Sequence, residues 1–244
     1  MNAPRLEVLA DSAALSQRAA EVVRQSVDEA ASSRGRATLA LAGGSTPREL
    51  YHLLAAGPAL PWERVHFFFG DERHVPPDDP ASNYRMAREA LFEVAPIPAQ
   101  NIHRVRAELP RASDAAEQYE QQLRAFFGAA DGAPARLDLI LLGLGTDGHT
   151  ASLFPGAPAI HEQTRWVMAQ PPEKGGVARI TFTPVLLNAA REVAFVVCGA
   201  EKAEALRGVL SGEQSVDELP ARVVRPAGGP RWLVDRSAAA LLNR

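Results

Sequence analysis

The chain has 244 residues, of which 46% are hydrophobic and 23% charged, with a formal net charge of −3. This is the make-up of an ordinary soluble globular protein, long enough to bury a core without a metal or disulfide staple. No long stretch is dominated by one sign of charge, which argues against a nucleic-acid footprint or a membrane-surface patch.

A single cysteine, Cys198, lies within the apolar run Val193–Cys198. It excludes an intramolecular disulfide, suits a reducing cytosol and reads as a small buried hydrophobe. Met1–Ala10 is too short and mixed for a secretory signal. No apolar stretch approaches the ~20 residues of a membrane span. The expected location is cytoplasmic.

In chain order, Arg5–Leu9 reads as a short strand. Asp11 can cap a helix that runs to about Ser33, with Ala14, Leu15, Ala19 and Val22 at helical spacing. Ala37–Ala42 reads as a buried strand. It runs into Gly43-Gly44-Ser45-Thr46-Pro47 and then a helix through Leu50, Leu53 and Leu54, with Pro47 suited to the first turn. Val65–Phe69 is a strand ending at Gly70-Asp71-Glu72-Arg73-His74. A loop rich in Pro and Asp follows, then a helix from about Asn83 to Leu91.

Ala112–Phe127 reads as a helix. Leu137–Leu142 is a central strand that ends in Gly143-Leu144-Gly145-Thr146-Asp147-Gly148-His149. The second half is less regular. Trp166–Ala169, Arg179–Thr183 and Val193–Val197 read as strands, and Glu201–Leu210 as a helix. Trp232–Val234 and an Ala/Leu-rich tail, Ser237–Leu242, close the chain. Pro226–Pro230 is a surface loop. No internal repeat or firm domain boundary interrupts the order. Strands alternating with helices predict an open, mostly parallel α/β sheet with helices on both faces, as one domain over residues 1–244.

The three most polar, glycine-rich segments each follow a strong strand. In an open parallel sheet, such loops gather at the carboxyl edge, where ligands bind. In the first loop, Gly43 and Gly44 allow close backbone approach. The amides of Ser45 and Thr46 lie at a helix N-terminus that favours phosphate, or the segment is simply a capped turn. It lacks P-loop spacing.

In the second, Arg73 can hold a carboxylate or steady an oxyanion, and Asp71 can position a sugar hydroxyl; a solvated turn is the alternative. Asp71, Glu72 and His74 match no familiar ligand spacing, so no metal is expected. In the third, His149 is an imidazole able to accept a proton near neutral pH, with Asp147 two residues away to orient it or touch substrate. Gly143-Leu-Gly lacks the third glycine of a dinucleotide fingerprint, and no cofactor is expected. Arg179 and Lys202 are cations that can reach a phosphate or remain on the surface.

These loops, in this order, resemble the glucosamine-6-phosphate isomerase/6-phosphogluconolactonase family. The segments that carry the likeness are Leu41–Pro47, Phe69–Arg73 with Ser82-Asn83-Tyr84, Leu142–Pro155, Arg179-Ile180-Thr181 and the closing Trp232–Asp235. The Gly-x-Gly-x-Asp-Gly-His-Thr-Ala-Ser-Leu-Phe-Pro stretch is highly specific, the Gly-Gly-Ser-Thr-Pro loop less so. The resemblance implies a glucosamine-6-phosphate deaminase-like, Rossmann-like fold.

It also implies hydrolysis of 6-phospho-D-glucono-1,5-lactone to 6-phospho-D-gluconate, as in the oxidative pentose phosphate pathway. His149 would be general base, Asp147 would fix it or the sugar, and Arg73 would offset charge at the lactone carbonyl. Gly43, Gly44, Ser45, Thr46, Asp71, Gly148, Arg179 and Lys202 would bind substrate, Arg179 and Lys202 on shorter matches. The deaminase branch carries a relay glutamate five residues after the histidine, where this chain has Phe154. It also tends to Asp-Glu-Tyr where this chain has Asp71-Glu72-Arg73. Both differences favour the lactonase branch over the deaminases, and over a non-catalytic sugar-phosphate sensor there is little room for a helix-turn-helix in residues 1–36. The expected partner is a small phosphorylated sugar lactone, with no nucleic acid and no membrane, and the chain itself is expected to be a monomer or weak homodimer.

Overall fold

The computed structural model describes residues 5–128, 133–172 and 176–242. Residues 1–4 of the N-terminal stretch considered above lie outside these. Six strands, β1 (Arg5–Leu9), β2 (Ala37–Leu41), β3 (Val65–Phe69), β5 (Leu139–Leu142), β8 (Glu192–Val197) and β9 (Arg231–Asp235), form one sheet. Its order is β1-β9-β8-β5-β2-β3, and every pairing in it is parallel.

All residues of β2 and β5 are buried, as expected for strands covered on both faces. That is why they read as unbroken apolar runs rather than alternating ones. Helix α1 (Ser12–Arg34) starts where Asp11 accepts a hydrogen bond from the Ala14 amide at 2.8 Å, and it stops at Gly35 in the left-handed region. It packs on α2 (Ser45–Ala56). Phe195 of β8 and Trp232 of β9 stack with ring centroids 3.9 Å apart, tying the later strands together.

The strand order sets the position of the site. From β2 the chain moves outward to β3, then crosses to β5 on the other side of β2 and continues outward to β8 and β9. Direction reverses between β2 and β5. At such a switch point the loops leaving the carboxyl ends diverge and open a crevice.

The sequence reading is corrected in the small second sheet. Asp71–Arg73, expected as a strand-end loop, is strand β4. It pairs antiparallel with β7 (Arg179–Phe182), which pairs with β6 (Val167–Gln170). So β6 and β7 do not extend the parallel sheet. Three charged residues carry little strand propensity; the pairing is imposed by tertiary contact. Two smaller differences accompany this. The segment expected as one helix from Asn83 is α3 (Asn83–Ala87) followed by a π turn over Arg88–Phe92. Pro184–Ala189 forms a short helix α5 with Pro at its first turn. Helices α4 (Ala112–Phe127) and α6 (Ala203–Ser211) lie close to expectation. The tail Ser237–Leu242 forms turns. No helix among the described residues is long and apolar enough to cross a membrane.

Two histidines pack at the β3 edge. His66 Nδ1 and His103 Nε2 are 3.1 Å apart, and the His103 ring stacks on Phe68. Burial, helped by the neighbouring His66, pushes His103 down to about 4; burial and then Arg36 lower His66. An unfolded chain takes up these protons around pH ~6.5, the folded one only further down. Between about 6.5 and 4 the unfolded state therefore binds more protons, and stability falls as pH falls. The melting temperature should decline over that window, and His103→Gln should flatten the slope. An unchanged slope in the variant would contradict the assignment.

Candidate active site

Four neighbouring strand ends supply the cleft. The segments leaving β3, β2, β5 and β8 bring Gly70-Asp71, Gly43-Gly44, Gly143–Gly145 with His149–Ala151, and Lys202 around a cavity of about 190 Å³. Of the residues expected from sequence, Gly43, Gly44, Asp71, Arg73, His149 and Lys202 line it. Ser45 and Thr46 do not line it; they begin α2, where no side chain caps the helix. First-turn amides without a side-chain cap are the arrangement that attracts anions. Asp147 and Gly148 do not line the cavity; Asp147 reaches the site through its bond to the imidazole. Arg179 lies directly across the β4–β7 ladder from Arg73. Cross-strand partners share a face, so the two guanidinium groups belong to one side of the small sheet.

His149 is held by a hydrogen bond of 2.6 Å between its Nδ1 and Asp147 Oδ1. The same oxygen accepts from the His149 amide at 3.1 Å. Burial pushes the Asp147 carboxyl up, but the hydrogen bond and charge of His149 outweigh it and leave the pKa below the usual range. The carboxylate is thus an acceptor, so a neutral ring bonded to it carries its proton on Nδ1 and offers Nε2 as the acceptor. Nε2 has no partner among the described residues. Phe154 packs on the ring at a centroid distance of 4.8 Å.

The glycines of this loop have specific tasks. A Cβ on Gly145 would overlap both His149 Nδ1 and Asp147 Oδ1. Gly148 has φ 79, and a Cβ there would overlap Leu219. Its carbonyl accepts from the Ala221 amide at 2.9 Å. Gly148 therefore anchors the loop to the segment after α6. Beyond His149 the chain makes a tight turn in which the Leu153 amide bonds the Thr150 carbonyl at 2.9 Å. Ala151, at φ 48, occupies a position that usually takes glycine.

The second loop is a braced frame. Buried Glu72 accepts from the amides of Arg73, Asn83 and Tyr84 and from Ser82 Oγ. Burial raises its pKa, with those amides pulling the other way. Asp71 accepts from Ser152 Oγ at 2.7 Å and from Asn83 Nδ2 at 3.2 Å. It thereby joins the second loop to the third. Asn83 closes the frame on the first loop, because its Oδ1 occupies the space a Cβ on Gly43 would need. His74 turns away, with Nε2 on the Leu109 carbonyl at 2.7 Å.

Sequence reasoning missed Gly145, Ser152, Glu72 and Asn83 as parts of the site. The Ser82-Asn83-Tyr84 segment was the available signal for the last.

Arg73 gives the cleft its charge. Its Nη1 donates to the Ala81 carbonyl at 2.6 Å, while its buried Nε has no partner among the described residues. A buried, unsatisfied guanidinium donor is costly unless an anion or carbonyl reaches it. Lys202 lines the same cavity and makes no ion pair among the described residues. Cys198, close by in sequence, is half-buried rather than buried. Its thiol donates to Asp235, and burial with that carboxylate pushes its pKa up to about 11, which leaves it unreactive.

A switch-point cleft with a carboxylate-oriented imidazole beside an arginine and a lysine defines an α/β enzyme that works at its strand ends. The sequence pattern described as "Glucosamine-6-phosphate isomerases/6-phosphogluconolactonase" matches residues 10–232, and the chain belongs to this family. It is 45% identical to the 6-phosphogluconolactonase of Nostoc sp. over 98% of both chains. It is 37% identical to that of Mycobacterium tuberculosis over 97% of this chain and 98% of the other.

Among solved structures it is similar to the 6-phosphogluconolactonase of Trypanosoma cruzi, with a TM-score of 0.88, 31% identity, and coverage of 99% and 97% of the two chains. A monomeric glucosamine-6-phosphate deaminase, at 23% identity and a TM-score of 0.82 over 97% and 99% of the chains, shares the fold.

Gly145→Ala tests the packing behind the imidazole. The methyl group has to displace the His149–Asp147 pair, so turnover should fall at least ~10²-fold, the scale of a lost general base, while the melting temperature changes by a few degrees. Wild-type turnover in this variant would show that the pair tolerates displacement.

Proposed function

We propose that this chain, acting as one domain in the cytoplasm, hydrolyses 6-phospho-D-glucono-1,5-lactone to 6-phospho-D-gluconate, with water activated by His149. The observation that carries the reading is His149 on the cavity wall with Nδ1 bound to Asp147 and Nε2 without a partner among the described residues. Family membership and lactonase relatives along nearly the whole chain support the substrate. Phe154 packed on the imidazole supports hydrolysis over amine removal, because an apolar ring that carries no proton occupies that position.

Neutral His149 takes a proton from water through Nε2 as the oxygen attacks the lactone carbonyl. Asp147 stabilises the imidazolium that forms. Arg73, with its unsatisfied Nε, offsets negative charge on the carbonyl oxygen. His149 then returns the proton to the departing ring oxygen, and the sugar acid opens. Charge and atoms balance without a covalent intermediate.

Lys202, Arg179 and the Gly44-Ser45-Thr46 amides hold the phosphate away from the reacting carbonyl, so its binding energy serves positioning. Asp71, already bound to Ser152 and Asn83, sets the loop geometry and presents its remaining acceptor capacity to a sugar hydroxyl. Gly43 and Gly148 act by leaving room for Asn83 and Leu219.

Glucose-6-phosphate dehydrogenase can generate the lactone in place, and its loss can be followed with and without the protein. Acceleration above the spontaneous rate is expected. His149→Ala should lower kcat by ~10²–10⁴-fold once that rate is subtracted; undiminished kcat would remove the general-base role. Lys202→Ala should mainly raise KM, as loss of uniform binding does. An unchanged KM would remove Lys202 from the phosphate site.

A further inference from the structure

The opposite, amino-terminal end of the same sheet holds a second polar cavity, of about 380 Å³. Four arginines line it. Arg34 ends α1, Arg36 precedes β2, Arg136 precedes β5 and Arg191 precedes β8. Among the described residues one carboxylate, Asp138, lines it with them. Asp138 is buried, and its oxygens are fully engaged. It accepts from Arg34 Nε at 2.9 Å, from the Thr38 amide at 2.9 Å and from Thr38 Oγ1 at 2.8 Å, and Arg191 Nε lies 3.3 Å away.

Two of the four guanidinium groups therefore share one carboxylate. Arg136 donates to the Ala189 carbonyl, and Arg36 stands 4.5 Å above the Phe126 ring; neither has an acidic partner among the described residues. Among the described residues the wall thus carries a surplus of three positive charges around a space with an apolar side at Phe127.

Like charges gathered in this way repel one another, and the repulsion is relieved by an anion with several oxygens. Planar guanidinium forks match phosphate oxygens in particular. The place is fixed by the fold, since Asp138, just before β5, and Thr38 of β2 bind each other and so hold Arg34 and Arg191 on the cavity wall. It is also separate from the catalytic cleft by the length of these strands, about 13 Å for four residues at ~3.3 Å each.

We propose that this arginine-lined cavity is a second anion site, which binds the phosphoryl group of a small molecule independently of the catalytic cleft. The chemistry shared by its possible ligands is a multiply charged phosphate. An inorganic polyphosphate engages the guanidinium groups alone, whereas a nucleotide also places its base against Phe127.

The test is calorimetric titration of the full chain with inorganic pyrophosphate and, separately, with ADP. Wild type, Arg36→Ala/Arg136→Ala and Lys202→Ala are compared. Binding to wild type is expected, weakened roughly ten-fold or more in the double variant, as for lost charge-assisted hydrogen bonds, and retained in Lys202→Ala. Tighter ADP binding identifies a nucleotide as the ligand source, and equal binding an inorganic phosphate. Lactone turnover should be unchanged in the double variant, whose ligand-free melting curve checks its fold; Arg36→Gln/Arg136→Gln carries the same comparison if the alanine variant does not fold. No binding to wild type, equal binding by the double variant, or loss confined to Lys202→Ala would overturn the proposal.

Discussion

The 2.6 Å bond from His149 Nδ1 to Asp147 Oδ1 decides which nitrogen of the ring meets the cavity. An imidazole free to rotate or to change tautomer would present a donor or an acceptor indifferently; one tied to an ionised carboxylate presents a lone pair. Almost everything around the pair serves that bond. Gly145 leaves the volume the two side chains fill, and Gly148 adopts the left-handed backbone that brings residue 149 back over residue 147. Leu219 and Ala221 close on Gly148 from behind. The loop is thus rigid without a helix or strand of its own, and β5 and the reversal of strand order place it in the crevice.

The three loops are also braced against one another, chiefly through Asp71. Its carboxylate connects Ser152 of the histidine loop with Asn83, and Asn83 presses on Gly43. Glu72, next to it, spends its acceptor capacity on the amides that begin α3. Two adjacent carboxylates therefore have different work, one at the cavity wall and one buried beneath it. The cations are treated in the opposite way. Arg73 keeps a buried donor unsatisfied and Lys202 has no counter-ion among the described residues. Acidic groups are consumed by the frame and basic groups are left for the ligand, which is the electrostatic pattern an anionic substrate requires.

Much of this was legible in the sequence. Strands β2, β3, β5 and β8 of the parallel sheet are largely apolar runs, each leading within two residues into glycine and then polar residues, and that pattern locates both the sheet and its carboxyl edge. The histidine loop is conspicuous because three glycines, a carboxylate and an imidazole follow a buried strand directly. Strand β4 was not legible, because Asp-Glu-Arg has no strand signature and pairs only when Arg179–Phe182 comes alongside. Nor could the bridging role of Ser152 be read, since its partner Asp71 is 81 positions away. Gly145 looked like part of a possible nucleotide fingerprint; its function is steric and appears only when the side chains four and two positions on are placed. Contacts over such separations belong to the topology, and periodicity carries no trace of them.

The central claim concerns direction: a substrate lying with its carbonyl at the imidazole and its phosphate at the far cations. A crystal structure of the chain with 6-phosphogluconate bound reads this directly. The account predicts the product carboxylate within hydrogen-bond distance of His149 Nε2 and the phosphate near Lys202 and the start of α2. A phosphate seated on His149, or a sugar lodged outside this cleft, would contradict it.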